Sequence, residues 1–216
     1  MRTLDFYYYS KLRARITILT YSKTIFINMN ITLILSSVRE SRIALRVLEK
    51  VKSLVGDQFN FNVVDPMEFD LPLLNLRFFE MKNPDEKFIR LHNRFNDADG
   101  FIIITAEYNH GIPPALKNML DHFGNEFSHK SCGIISYSDG AIGGARCTEQ
   151  LRLVCSALGM PPISISPAWG LVNKSGTPDG KPFEDGFERT FRPFLKEFIW
   201  MTEALSDKRM KDTSSN

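Results

Sequence analysis

Two kinds of apolar pattern alternate along this chain. Residues 31–35 (ITLIL) and 100–105 (GFIIIT) are continuous apolar runs, which predict strands buried on both faces. Residues 131–137 (SCGIISY) read as a further strand and 163–166 (ISIS) as a short last one. Residues 59–64 (FNFNVV) alternate apolar with polar, the mark of a strand with one covered face. Helical spacing fills the intervals. Ile43, Val47, Val51 and Leu54 share one face of residues 41–54, as Phe88, Leu91 and Phe95 do in residues 86–95. Residues 113–123 open with two prolines and stop before Gly124, and residues 145–158 and 183–205 are the remaining helices. In the last of these Phe183, Phe187, Phe191, Phe194 and Phe198 form a stripe, which Pro193 is expected to kink or restart.

Strands separated by helices require crossovers, so the sheet is parallel and covered on both faces. The fold class expected is α/β, flavodoxin-like and doubly wound, with five strands in the order 2-1-3-4-5. That order places a ligand at the carboxyl ends of strands one, three and four. No repeat or linker divides the chain. One domain over residues 29–205 is expected, with residues 1–28 outside it and 206–216 as a polar tail.

Charge refines the domain boundary. The 216 residues carry 27 basic and 25 acidic groups, a formal net of +2. Residues 1–28 hold five of the basic groups (Arg2, Lys11, Arg13, Arg15, Lys23) and one acid, Asp5, leaving 22 basic against 24 acidic residues, a net of −2. A nearly balanced, mildly acidic domain is no obvious nucleic-acid binder. The basic groups interrupt every apolar run of the first 28 residues, so these are read as a non-domain extension; a transit peptide is the other reading. No stretch approaches the ~18 apolar residues of a membrane span. Cys132, Cys147 and Cys155 are odd in number without metal-ligand spacing, and are read as buried hydrophobes in a reducing cytoplasm. His92, His110, His122 and His129 show no ligand spacing, so no metal site is expected.

Three loops converge at the predicted crevice. After strand one, Ser36, Ser37, Arg39, Ser41 and Arg42 gather hydroxyls and guanidiniums at a helix start, which suits a terminal phosphate or is an ordinary serine cap. No glycine precedes Gly56, so neither a G-x-G-x-x-G turn nor a P-loop is present. After strand three, Glu107, Tyr108, Asn109, His110 and Gly111 precede two prolines. This stiff loop can face a planar heterocycle, or is a turn with an incidental tyrosine. After strand four, Ser136, Ser138, Gly140, Gly143 and Gly144 suit close backbone approach to a ligand, or a flexible surface loop.

Together these stretches resemble the NADPH-dependent FMN reductase family, which includes flavodoxin-like quinone, azo and chromate reductases. Its G-S-x-R matches residues 36–39, with Ser36 in place of the glycine. Its P-E-Y-N-x-x-x-P-x-x-L-K-N-x-x-D matches Glu107, Tyr108, Asn109, Pro113, Leu116, Lys117, Asn118 and Asp121, with Ala106 in place of the first proline. Its S-x-G-x-x-G-G-x-R matches Ser138, Gly140, Gly143, Gly144 and Arg146. The resemblance implies FMN with its phosphate at Ser36, Ser37, Arg39, Ser41 and Arg42, and its ring against residues 107–111 and 138–144. NADPH or NADH would give a hydride to the flavin, and a small quinone- or azo-type acceptor would collect the electrons. No catalytic side chain is needed. The resemblance also implies a homodimer or homotetramer, built on the helices after strands three and four, with Trp169 or the loop of residues 167–182 near a partner's flavin. Two rivals remain: a flavodoxin-type electron carrier and a flavin-binding module without turnover.

Overall fold

The computed structural model describes residues 29–56, 59–174 and 185–213. The extension, Phe183 and much of the Pro/Gly-rich stretch after Trp169 lie outside them. The described elements are β1 (Asn30–Leu35), α1 (Ala44–Val55), β2 (Asn60–Val64), the one-turn α2 (Pro66–Phe69), α3 (Glu86–Asn96), β3 (Gly100–Ala106), α4 (Pro114–Asp121), β4 (Ser131–Tyr137), α5 (Ala145–Ala157), β5 (Ala168–Trp169) and α6 (Asp185–Thr213).

All five strands are parallel, in the order β2-β1-β3-β4-β5. Every residue of β3 and β4 is buried, whereas β2, at the edge, keeps its alternation of exposed and covered positions. One face of the sheet carries α1 and α6, the other α3, α4 and α5. Phe187, Phe191, Phe194 and Phe198 form the buried stripe of α6, each removing roughly 1.5–3 kcal/mol worth of apolar surface from water. The helix sits very close to the sheet. A β-carbon on Gly133 would lie 2.7 Å from the Phe194 ring, so only glycine lets α6 approach there.

Three boundaries differ from expectation. Helix α1 begins at Ala44 and not at residue 41, because residues 39–42 form a separate turn, closed by Arg42 N–H donating to Arg39 C=O at 3.1 Å. The stretch 163–166 is not a strand. Only its first residue touches β4, where Ile163 N–H donates to Cys132 C=O at 2.9 Å. Arg152 takes the next acceptors, donating to Ile163 C=O, Ser164 C=O and Ser166 Oγ at 2.7, 2.8 and 2.7 Å. With Pro161, Pro162 and Pro167 lacking N–H groups, the ladder resumes only at Ala168–Trp169, opposite Ser136 and Tyr137. Helix α6 runs through Pro193 and on to Thr213, well past residue 205.

Strand register shapes the crevice. β1 ends at Leu35 opposite Ile104, while β3 and β4 continue to the Ala106–Tyr137 pair. The chain therefore turns away from β1 earlier than from its neighbours, and the step between them is the floor of a cleft.

Candidate functional site

At the carboxyl end of β1 the serines divide their work. Ser36 is fully buried, and its Oγ accepts the Ala106 N–H at 2.9 Å. The two positions that depart from the resembling motif are thus bonded to each other, for a proline at 106 would have no N–H to give. Ser37 Oγ instead meets the Tyr108 hydroxyl at 2.5 Å and accepts Arg39 N–H at 3.3 Å. The Arg39 guanidinium lies 5.8 Å from the centre of the Tyr108 ring, within cation–π range. No side chain caps α1, so the ordinary-cap reading of these serines fails, and the first-turn N–H groups lack that partner. Ser41 is exposed on the cleft wall.

Arg42 behaves differently from Arg39. Both ends of its guanidinium meet Asp65 at 2.5 Å, and it also donates to Ser37 C=O at 2.8 Å. The pair is about nine-tenths buried, and the hydrogen bonds to Asp65 hold the guanidinium charged, raising its pKa further. Arg42 faces the cleft as a strut that ties the loop to β2, with its charge already neutralised.

Beyond β3 the chain makes a two-residue turn. Tyr108 and Gly111 exchange N–H···O=C bonds of 2.9 and 2.9 Å, while Asn109 and His110 hold φ of +50° and +67°. Such a turn is rigid, which fixes the Tyr108 ring on one wall of the cleft. Asn109 points outward and does not line the cleft, and Gly111 packs against the Gln150 side chain. Glu107 reaches across to α5, where its carboxylate accepts Cys147 N–H at 3.1 Å in the first helical turn. Burial, with the Glu107 charge adding to it, pushes the Cys147 thiol up to about 12, so it is no thiolate nucleophile.

The glycines after β4 serve the fold. Gly143 and Gly144 have φ of +64° and +87°, and a β-carbon on Gly143 would meet the Gly170 nitrogen at 2.7 Å. The bareness of Gly143 admits the backbone of residues 168–170, after which the chain returns over the loop, while Gly144 packs on Ser136 and Tyr137. Val172 N–H donates to Ser138 C=O at 3.2 Å, and Asn173 Nδ2 to Asp139 at 2.6 Å. Ser138 and Gly140 line the cleft. Ser136 is buried beside Gly144 with no hydrogen-bond partner for its hydroxyl among the described residues.

These loops enclose one cleft of about 500 Å³, a size that suits a nucleotide-like ligand. Nine of the fifteen expected residues line it: Ser37, Arg39, Ser41, Arg42, Glu107, Tyr108, His110, Ser138 and Gly140. Ser36, Asn109, Gly111, Ser136, Gly143 and Gly144 do not; they build the loops behind it. Sequence reasoning missed Tyr137, which reads as the end of a strand, Val172, which reads as irregular loop, and Arg146, a motif residue given no role. Electrostatically the cleft holds charges of both signs, with its guanidiniums open to an anion. Arg39 and Arg146 pair with no carboxylate among the described residues, whereas Glu107 and Asp139 are held by Cys147 N–H and by Asn173. Unpaired guanidiniums, exposed hydroxyls and a fixed aromatic ring fit a phosphate-bearing planar cofactor. No cluster of three or more metal-ligating side chains occurs among the described residues.

The model of the NADPH-dependent FMN reductase family matches residues 29–173. The chain is similar to an NAD(P)H-dependent FMN reductase of Saccharomyces cerevisiae, 31% identical over 147 residues that make up 61% of this chain and 76% of that one. It is also 26% identical over 180 residues to a quinone reductase of Pseudomonas putida, covering 79% of this chain and 90% of the relative. Among solved structures, the flavoenzyme NAD(P)H:(acceptor) oxidoreductase FerB from Paracoccus denitrificans superposes with a TM-score of 0.65 at 20% identity. The overlap covers 83% of this chain and 98% of that one, a likeness of fold.

Proposed function

Because the chain belongs to the NADPH-dependent FMN reductase family, we propose that it is an NAD(P)H-dependent oxidoreductase that holds FMN in the cleft between the β1, β3 and β4 loops. The electrons go to a small quinone- or azo-type acceptor. The observation that carries the reading is the meeting of Ser37, the unpaired Arg39 and the fixed Tyr108 ring at the register step between β1 and β3.

In this reading Ser37, Arg39 and Ser41 hold the cofactor phosphate at the start of α1, where the helix dipole favours an anion and no side chain caps the first turn. Glu107, Tyr108, His110, Ser138 and Gly140 form the walls along the flavin ring. When bound, FMN supplies the two-electron chemistry between NAD(P)H and acceptor. The chain's own work is orientation. The rigid turn at Tyr108–Gly111 holds the ring wall still, Asp65 and Arg42 keep the phosphate loop in place, and Arg146 offers a second cation where a nucleotide's phosphates arrive. No side chain is assigned to proton transfer.

The reading includes the domain beginning at Met29, where the family match also starts, and a cytoplasmic home, in keeping with three free, buried cysteines. It includes a homodimer or homotetramer formed through α4, α5 and the loop before α3, where Leu73, Phe79 and Leu153 are exposed at 84%, 72% and 75%. Trp169 has no place at a partner's flavin. It is buried and stacked on Phe187 of its own chain, with ring centres 5.1 Å apart.

Purified protein is expected to show an oxidised flavin spectrum that bleaches within seconds of anaerobic NADPH addition. Persistent oxidised colour would refute the reductase reading and favour an electron carrier. A monomer by light scattering at micromolar concentration would refute the assembly.

A further inference from the structure

Tyr137 ends β4, and its ring lies in the core between the sheet and helices α1 and α6. The side chain is 4% exposed and its hydroxyl has no hydrogen-bond partner among the described residues. An unpaired buried hydroxyl costs free energy and is uncommon in native proteins. The residue lines the cleft, within electrostatic reach of Arg42 and Tyr108, whose hydroxyl meets the phosphate-loop Ser37.

Its protein neighbours already have other partners. Ser37 Oγ and the Tyr108 hydroxyl are engaged with each other. Among the described residues Ser36 is the one side chain that bears on the phenol as a hydrogen-bonding neighbour, and its Oγ already accepts Ala106 N–H. Arg42 is taken by Asp65 and, being a donor only, offers the phenol no acceptor. Burial raises the Tyr137 phenol well above its ordinary range, with the Tyr108 hydroxyl adding to the effect, so the group is an O–H donor at every working pH. A protonated donor without a protein acceptor, in a wall that carries cations, calls for an acceptor on the ligand. Phosphoryl oxygens are the acceptors richest in lone pairs and charge.

We propose that Tyr137 is a cofactor-binding residue whose hydroxyl donates to the phosphate end of FMN. The proposal rests on the reading that FMN fills this cleft, and it assigns to the end of β4 a role given above only to the β1–α1 loop.

The test is Tyr137→Phe, which removes one oxygen and keeps the ring. Flavin-free wild type and variant are titrated with FMN and with riboflavin, which lacks the phosphate, and their thermal unfolding is recorded without ligand. The variant is expected to bind FMN about tenfold more weakly, as for one hydrogen bond to a charged group. Its riboflavin affinity should match wild type, and its ligand-free Tm should be equal or higher because no unsatisfied hydroxyl remains. Unchanged FMN affinity would overturn the proposal. So would an equal loss for both flavins, which places the contact at the ring, or a lower ligand-free Tm, which means the hydroxyl is bonded within the protein. Wild type that binds neither flavin would overturn the FMN reading itself, whatever the variant does.

Discussion

Arg42→Met separates a strut from a ligand. The side chain sits beside Arg39 in sequence and in the cleft, yet it is clasped by Asp65 with both partners 10% exposed. Removing one member of a buried pair leaves the other charge uncompensated, a loss of roughly 3–5 kcal/mol. Asp65 keeps one partner, the Met67 N–H at 3.0 Å, so the lower figure, about 3 kcal/mol, is the better expectation. At roughly 2–4 °C per kcal/mol for a chain of this size, the ligand-free Tm should fall by about 6–12 °C. Arg39→Met removes a guanidinium with no carboxylate partner among the described residues and should leave that Tm within a degree or two. Flavin titration should rank them the other way. Arg39→Met weakens FMN binding at least about tenfold, from the loss of a charge-assisted contact, and Arg42→Met weakens it less. Calorimetry and fluorescence titration on the two variants give both rankings. A stable Arg42→Met that loses FMN would refute the reasoning, for it would make Arg42 the phosphate ligand and Asp65 a bystander.

Two further substitutions test the packing. Gly133→Ala places a β-carbon 2.7 and 2.8 Å from two atoms of the Phe194 ring; α6 must shift, and chemical denaturation should show a loss of about 1–3 kcal/mol, whereas a neutral variant would mean that the helix approach is soft. Lys130 donates to Phe95 C=O and Asn96 C=O at the end of α3, and burial lowers its pKa from 10.5 to about 8. Between those values the unfolded chain binds more protons than the folded one, so this group's contribution to stability rises with pH from about 8 to 10.5. Wild type should therefore gain stability relative to Lys130→Met between pH 7.5 and 9.5, and parallel pH profiles for the two proteins would refute the assignment.

Much of the active face was legible along the chain because it depends on local patterns. Continuous apolar runs at residues 31–35 and 100–105 mark strands buried on both faces, and crossover geometry makes the sheet parallel. Residue chemistry at the three strand ends then drew attention to Ser37, Arg39, Tyr108 and Ser138. The misses share one cause. Gly143 and Gly144 looked like room for a ligand, but the room at Gly143 is taken by the backbone of Gly170 and Trp169 and that at Gly144 by Ser136 and Tyr137 C=O. Arg42 looked like an anion binder, but Asp65, 23 residues away, reaches it first. Residues 163–166 looked like a strand, but the Arg152 side chain collects their acceptors.

Which elements form, which face of each is apolar and which loops carry polar chemistry are set by neighbours along the chain. Periodicity and turn residues are one-dimensional quantities, and these features could be read from them. Which donor meets which acceptor is a three-dimensional matter. The bond between Ser36 and Ala106, 70 residues apart, the capture of Arg42 by Asp65 and the unpaired hydroxyl of Tyr137 exist only once the strands are in register. A hydrogen bond depends on tenths of an ångström, and only packing supplies that precision.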